Sequence, residues 1–211
     1  RPVKRRQRLG QQGMVGGTAL DPPRRLAEQR QRAVETFGLD KTDFEFRHQE
    51  IVGAWEEGSI SMDEYLDLAI FHCPRDFSRD QFREFVFSQS QPFEDSIAAI
   101  REVVQRGEFI VMTLNNESAE LNRFRIERFG LSGMFSAFLS SCWLHARKPT
   151  RAFFERAFGV ANANPQQALL VDDREQNIVR ARELGMQTIH CTNPKELHAQ
   201  LVSAGLLRTG S

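Results

Sequence analysis

From Pro92 onward the chain alternates short apolar runs with stretches of helical periodicity. The runs are Phe109-Ile110-Val111-Met112-Thr113-Leu114, Ala137-Phe138-Leu139, Ala168-Leu169-Leu170-Val171 and Thr188-Ile189-His190. Between and after them, apolar residues recur at helical spacing over about 117–129, 149–158, 175–184 and 194–201. A strand that is apolar along its length must be covered on both faces, and a helix between successive strands returns the chain to the same edge, so the strands run parallel. A helix over about 97–107, closed by Gly107, precedes the first run. Residues 92–211 therefore predict a layered α/β unit with a parallel sheet.

The preceding ninety residues have another rhythm. Helical spacing runs from Arg24 to Phe37, with Gly38 placed as a C-terminal cap, and again from Thr42 to Glu57. Ser61-Met62-Asp63-Glu64 is a capping-box pattern leading into Tyr65, Leu66 and Leu68, and Ser78 opens a further helix through Phe87. Residues 22–91 thus read as all-helical. Residues 1–12 carry five basic side chains, no acid and two apolar residues, a solvated tail by pattern, and Pro22-Pro23 stops whatever precedes it.

Charge and composition exclude whole classes of partner. Twenty-eight Lys and Arg balance twenty-eight Asp and Glu, so no net field draws the molecule to nucleic acid or an anionic membrane. No stretch approaches the roughly eighteen consecutive apolar residues of a membrane helix. Cys73, Cys142 and Cys191 are widely spaced and without metal-ligand pattern, which predicts reduced thiols and a cytoplasmic protein. The basic tail, without interleaved aromatics, reads as a solvated segment, and nucleic acid is not expected as a partner.

In a parallel α/β unit, ligands meet the carboxyl ends of the strands. The polar residues standing there are Asn115 and Asn116, then Lys148 before Pro149, then Asp172 and Asp173. Two adjacent carboxylates facing a lysine and an amide suit a hard divalent cation and a phosphate-like oxyanion. Each part has a plainer reading: Asp172-Asp173 as a helix cap, Lys148 as a surface lysine, the asparagines as turn residues. The five histidines have no partners at ligand spacing, and Trp55 with the Phe-rich stretch 77–93 reads as core packing or as a hydrophobic substrate surface.

Taken in order, with 33 residues from Asn115 to Lys148 and 24 or 25 on to Asp172 or Asp173, these motifs resemble those of the haloacid dehalogenase-like hydrolases. The resemblance runs from about Phe37 to the C-terminus. It implies a Rossmann-like three-layer α/β/α core with a parallel sheet (92–211) and an inserted helical cap (22–91), following a basic tail and degenerate first motif (1–21). It also implies magnesium-dependent hydrolysis of a small phosphorylated substrate through an aspartyl intermediate. Asn115 in Val111-Met-Thr-Leu-Asn-Asn-Glu117 would contact the phosphoryl group, with Asn116 beside it at the substrate. Lys148 in Arg147-Lys148-Pro149 would hold phosphate and nucleophile. In Leu169-Leu-Val-Asp-Asp-Arg-Glu-Gln-Asn177, Asp173 is the stronger magnesium ligand, Asp172 the second and Asn177 the supporting amide. Trp55-Glu56-Glu57-Gly58-Ser59-Ile60-Ser61 with Glu64-Tyr65 is similar to the cap of the branch whose first motif is Asp-x-Gly-Gly-Val.

The first motif departs from the pattern. Its best match, Met14-Val15-Gly16-Gly17-Thr18-Ala19-Leu20, puts methionine where the family carries its nucleophilic aspartate, and Asp21 lies beyond the glycine pair in the wrong register. A thioether neither attacks phosphorus nor binds magnesium as a hard ligand. The preceding Arg- and Gln-rich residues are also poor material for a buried central strand. Three explanations stand open: a hydrolase impaired at its nucleophile, a non-catalytic binding protein on the same fold, or a start replaced by a slipped reading frame or truncation.

Overall fold

The computed structural model describes Val15, Gly16 and residues 23–208, with side chains from Leu26 onward. Met14, Asp21 and the basic segment 1–12 lie outside the described residues. The architecture is a Rossmann-like α/β core carrying a helical cap.

The cap helices are α1 (Pro23–Phe37), α2 (Lys41–Glu56), α3 (Met62–Ala69) and α4 (Arg79–Ser88). Their ends follow local chemistry. Gly38 adopts φ +59° after α1, a conformation costly for any side-chain-bearing residue. Ser61 closes a reciprocal capping box with Glu64 at the start of α3, and Ser78 does the same with Gln81 at α4. These helices share one apolar cluster, with Phe44, Trp55, Tyr65, Leu66 and Phe82 at its centre and Leu121 added from the core.

The core contains α5 (Glu94–Gln105), β2 (Met112–Asn115), α6 (Ala119–Arg128), β3 (Ala137–Ser140), α7 (Ser141–Leu144), α8 (Arg151–Ala161), β4 (Leu169–Asp172), α9 (Glu175–Glu183), β5 (Gln187–His190) and α10 (Leu197–Ser203). A two-residue strand, β1 (Val15–Gly16), comes before all of them. Every pairing is parallel: β2 with β3, β4 with β5, and β1 with β4 in the register Val15↔Leu169. Because β1 also lies against β2, the order across the core is β3-β2-β1-β4-β5.

The fully apolar β4 explains the layering. Leu170 joins Leu114, Leu139, Phe153, Phe154 and Ile178 beneath α8 and α9. Leu169 and Val171 join Ile100, Val103 and Leu201 beneath α5 and α10 on the other face. Phe153 and Phe154 are wholly buried, and truncating either to Ala removes about 3–5 kcal/mol.

Some boundaries differ from expectation. The ladder of β2 begins at Met112 rather than Phe109, because Ile110 is turned to solvent. The final helix divides into a 3-10 turn, Pro194–Glu196, capped by Asn193, and then α10. The helix expected from Pro149 begins at Arg151, where the Thr150 side chain accepts from the Phe153 N–H. The single turn α7 has no counterpart in the sequence reading.

Candidate functional site

Strand ends β2 and β4, with the loop before α8, bring Asn115, Asn116, Lys148, Asp172, Asp173 and Asn177 to one end of the sheet. Lys148 is central. Its Nζ donates to the Leu114 carbonyl (2.6 Å) and to Asp172 Oδ2 (2.5 Å), and the two side chains are 2% and 0% exposed. The Lys148–Pro149 peptide is cis.

Asp172 is held on both oxygens. Its Oδ1 accepts from the Arg174 main-chain N–H and from Asn177 Nδ2, both at 2.9 Å. Burial by itself raises a carboxyl pKa, but the Lys148 charge and these hydrogen bonds outweigh it and hold Asp172 below its usual range. The buried amide of Asn177 thus sits where the sequence reading put a supporting group. Asp172, given the second-ligand role from sequence, thus accepts three hydrogen bonds within the protein, one on Oδ2 and two on Oδ1.

Asp173 is the opposite case. Its Oδ2 is buried without a hydrogen-bond partner, and burial followed by the neighbouring Asp172 charge raises its pKa. An orphaned hard oxygen of this kind suits magnesium, which is held through one or two carboxylates and completes its shell with water and phosphate oxygens. No cluster of three or more His, Cys, Asp or Glu side chains forms among the described residues, so Asp173 would hold a cation largely with water and substrate oxygens.

The asparagines divide their work. Asn116, expected at the substrate, is turned onto the main chain of Lys148: its Oδ1 accepts from the Lys148 N–H (2.8 Å) and its Nδ2 donates to the Lys148 carbonyl (3.0 Å). Asn115 Oδ1 accepts from Ser140 Oγ (2.7 Å), whose own oxygen accepts from Asn122 Nδ2 (2.6 Å). Sequence reasoning missed Asn122 and Ser140. The available signal was an asparagine on the inward stripe of α6 and a serine ending an apolar strand, both common enough to pass unnoticed.

A second group missed from sequence fastens the cap to this end of the core. Ser141 Oγ donates to the Glu56 carbonyl (2.6 Å) and accepts from the Glu117 N–H (2.9 Å). Glu56 also pairs with Arg147, the residue before Lys148, at 2.7 Å. Burial pushes the Glu56 carboxyl up against the pull of Arg147 and Arg174. Arg125, from α6, pairs with Glu117 and donates to Ser90. The histidine expected to be structural, His48, bonds Tyr65 Oη through Nδ1 at 2.8 Å.

Residues 47–191 match the family described as haloacid dehalogenase-like hydrolase. The chain is 25% identical over 171 residues to flavin mononucleotide hydrolase 1 of Arabidopsis thaliana, an alignment covering 81% of this chain and 69% of that protein. A HAD-like family hydrolase from Porphyromonas gingivalis superposes with a TM-score of 0.73 at 18% identity, over 94% of this chain and 98% of its own. A HAD family enzyme from Bacteroides thetaiotaomicron, in complex with magnesium and inorganic phosphate, gives 0.68 at 18% identity over 84% and 92%. At these identities the structural likeness is one of fold. No helix among the described residues is long and apolar enough to cross a membrane.

Proposed function

The chain belongs to the haloacid dehalogenase-like hydrolases, and we propose that its site is of the phosphatase type, built to hydrolyse a small phosphate monoester with magnesium at Asp173 and impaired by Met14 at the nucleophile position. The observation that carries this reading is the contrast at the end of β4: Asp172 engaged by Lys148, Arg174 and Asn177, and Asp173 beside it with an orphaned oxygen. Two further facts support it. The Arabidopsis relative is named for hydrolysis of flavin mononucleotide, itself a phosphate monoester. The Bacteroides enzyme of the same fold binds magnesium with inorganic phosphate.

The roles follow from the bonds. Lys148 Nζ has three protons, two of which go to Leu114 and Asp172, and the third is free to donate to a phosphoryl oxygen. Asn116 fixes the Lys148 main chain and is a positioning residue. Asn115, oriented by Ser140 and Asn122, offers its amide to the phosphoryl group. Asp173 would hold magnesium, which when bound would supply positive charge beside the phosphoryl oxygens. A carboxylate at position 14 would attack phosphorus and release the alcohol, and water would then cleave the acyl phosphate. The methionine present has no atom for that step. The helices of 22–91 act as the lid that excludes water.

The missing nucleophile favours a second reading, a non-catalytic protein that binds phosphorylated ligands on the same fold. Magnesium-dependent hydrolysis of p-nitrophenyl phosphate separates the two. Met14→Asp should raise turnover by at least about a hundredfold, in line with the weight of one essential group, and Asp173→Asn on top of it should remove the gain. A folded Met14→Asp chain that hydrolyses nothing overturns the phosphatase reading. Retention of phosphate binding in that silent chain would establish the second.

A further inference from the structure

Arg147 and Glu56 form a contact that the chemistry above leaves unused. Arg147 belongs to the core and stands one residue before Lys148, whereas Glu56 is the last residue of the cap helix α2. Arg147 Nη2 lies 2.7 Å from Glu56 Oε2, with both side chains partly exposed. Ion pairs of that kind are common and contribute little to stability. Three observations set this one apart.

The first is a notch in α2. A Cβ built on Gly53, one turn before Glu56, would lie 2.8 Å from Arg147 Nη1 and 3.9 Å from its Cζ. Among the described residues outside α2, no other group comes within 4 Å of that position. Glycine is the poorer choice for the helix itself, since alanine loses less conformational entropy there. What glycine leaves room for is the guanidinium. The second observation is the state of the paired atoms. Arg147 Nε and Glu56 Oε2 are buried, yet neither is completed by a hydrogen bond. Atoms left so are rare in native structures, and here the two side chains meet as charges while the notch decides where the guanidinium lies.

The third is where the two ends lead. The Arg147 carbonyl accepts from the Thr150 N–H (2.8 Å) and from Thr150 Oγ1 (2.5 Å), and Thr150 caps α8. Lys148 is held at its main chain by Asn116 and at Nζ by Leu114 and Asp172. The core alone therefore fixes the root of the Arg147 side chain and the lysine beside it. On the cap side, the Glu56 carbonyl accepts from Ser141 Oγ, which also takes the N–H of Glu117, the residue after Asn116. Arg174, the residue after Asp173, acts on the Glu56 carboxyl by its charge. One cap residue is thus tied to the segments that carry Asn116, Lys148 and Asp173.

We infer that Arg147 is a positioning residue: seated in the Gly53 notch and paired with Glu56, it registers the cap on the loop that carries Lys148, and so sets how tightly substrate is held without touching it. Because the core fixes Lys148, losing this strut shifts the cap and not the lysine, and the effect falls on KM rather than kcat. The effect on substrate rests on the phosphatase reading. The registration of the cap does not, since it needs neither magnesium nor a nucleophile.

Gly53→Ala isolates the contact. Its methyl group meets the far end of a flexible side chain, so Arg147 swings away at small cost while α2 gains helix propensity. The thermal midpoint should stay level or rise. Hydrogen exchange over residues 141–148, read by mass spectrometry, should nevertheless quicken by about fivefold, the upper weight of a partly exposed ion pair. In the Met14→Asp chain with magnesium and p-nitrophenyl phosphate, KM should rise by the same factor while kcat stays within about twofold. Glu56→Gln should reproduce both shifts, and adding Gly53→Ala to it should change little more, because the two substitutions break one contact. Unchanged exchange in Gly53→Ala, a loss confined to kcat, a lowered midpoint with KM unmoved, or fully additive shifts in the double variant would each overturn the inference. If the Met14→Asp chain hydrolyses nothing, quickened exchange upholds the registration of the cap while the phosphatase reading falls. Unchanged exchange removes the registration whatever the activity.

Discussion

Lys148 Nζ stands 2.5 Å from Asp172 Oδ2, with both side chains sealed from solvent. Such a pair contributes little net stability, because each charge loses its hydration, but removing one partner strands the other. Lys148→Met and Asp172→Leu should each cost about 3–5 kcal/mol, while the double variant should cost clearly less than the sum. Urea unfolding of the four proteins checks this. Simple additivity would mean that the two groups are not coupled.

Asp173 carries the contrary prediction. Its carboxyl pKa is raised, so its ionised form works against folding once pH exceeds the usual carboxylate range. Asp173→Asn should leave stability at neutral pH unchanged or raise it by no more than about 1 kcal/mol after allowance for solvent screening. A midpoint that falls in urea would show that the carboxylate is a structural group. It would then lose its standing as the cation's ligand.

Gly58 follows α2 at φ +71°, and a Cβ built there would lie 2.5 Å from the Cys142 carbonyl oxygen in α7. Backbone cannot yield as a flexible side chain can. Gly58→Ala should therefore destabilise by more than about 2 kcal/mol and loosen the cap, whereas Gly107→Ala, at φ +63° in open space, should cost only about 1 kcal/mol. Thermal melts of the two variants, with limited proteolysis of the cap, measure the contrast. Equal losses would mean that conformational strain alone decides.

These contrasts show what a sequence can convey. The apolar runs, the capping serines Ser61 and Ser78, and the order Asn115, Lys148, Asp172 are local patterns, and the parallel sheet with its cap follows from them. The ranking of Asp173 above Asp172 came with the motif's resemblance, but the bonds that engage Asp172 were not legible, because they depend on where one lysine proton and one distant amide point. Nor was the turning of Asn116 onto Lys148, thirty-two residues away. The Glu56–Arg147 link and the Asn122–Ser140 bond are long-range polar contacts without periodicity, so nothing in the chain announces them.

The described part of β1, Val15–Gly16, lies between β4 and β2, which carry four residues each. The residues before it, Leu9-Gly-Gln-Gln-Gly-Met14, have poor strand propensity. Residues of such low propensity pair weakly as a central strand, and weak pairing there leaves neighbouring edges open to other chains. Thermal unfolding is expected below about 65 °C, with self-association that grows with concentration. The triple variant Gln11→Val, Gln12→Ile, Gly13→Val should raise the midpoint and suppress the association. Sedimentation and scanning calorimetry decide, and a midpoint well above that limit in the starting chain would refute the weak-strand argument.

His48 sets the acid behaviour of the cap. Its pKa falls from 6.5 to about 4 in the folded protein, chiefly through burial. Between those values the unfolded chain binds a proton that the folded one refuses, so stability must fall as pH drops through this window and level off below it. One pKa unit corresponds to about 1.4 kcal/mol, and partial solvent access reduces the total, so the loss attributable to His48 should be about 1–3 kcal/mol. His48→Phe cannot protonate. Its urea midpoint should lie below that of the starting chain near neutrality, where the Tyr65 bond is missing, and converge with it toward pH 4. Parallel curves for the two proteins across this range would mean that burial leaves the His48 pKa unchanged and that the imidazole takes up its proton alike in the folded and unfolded chains.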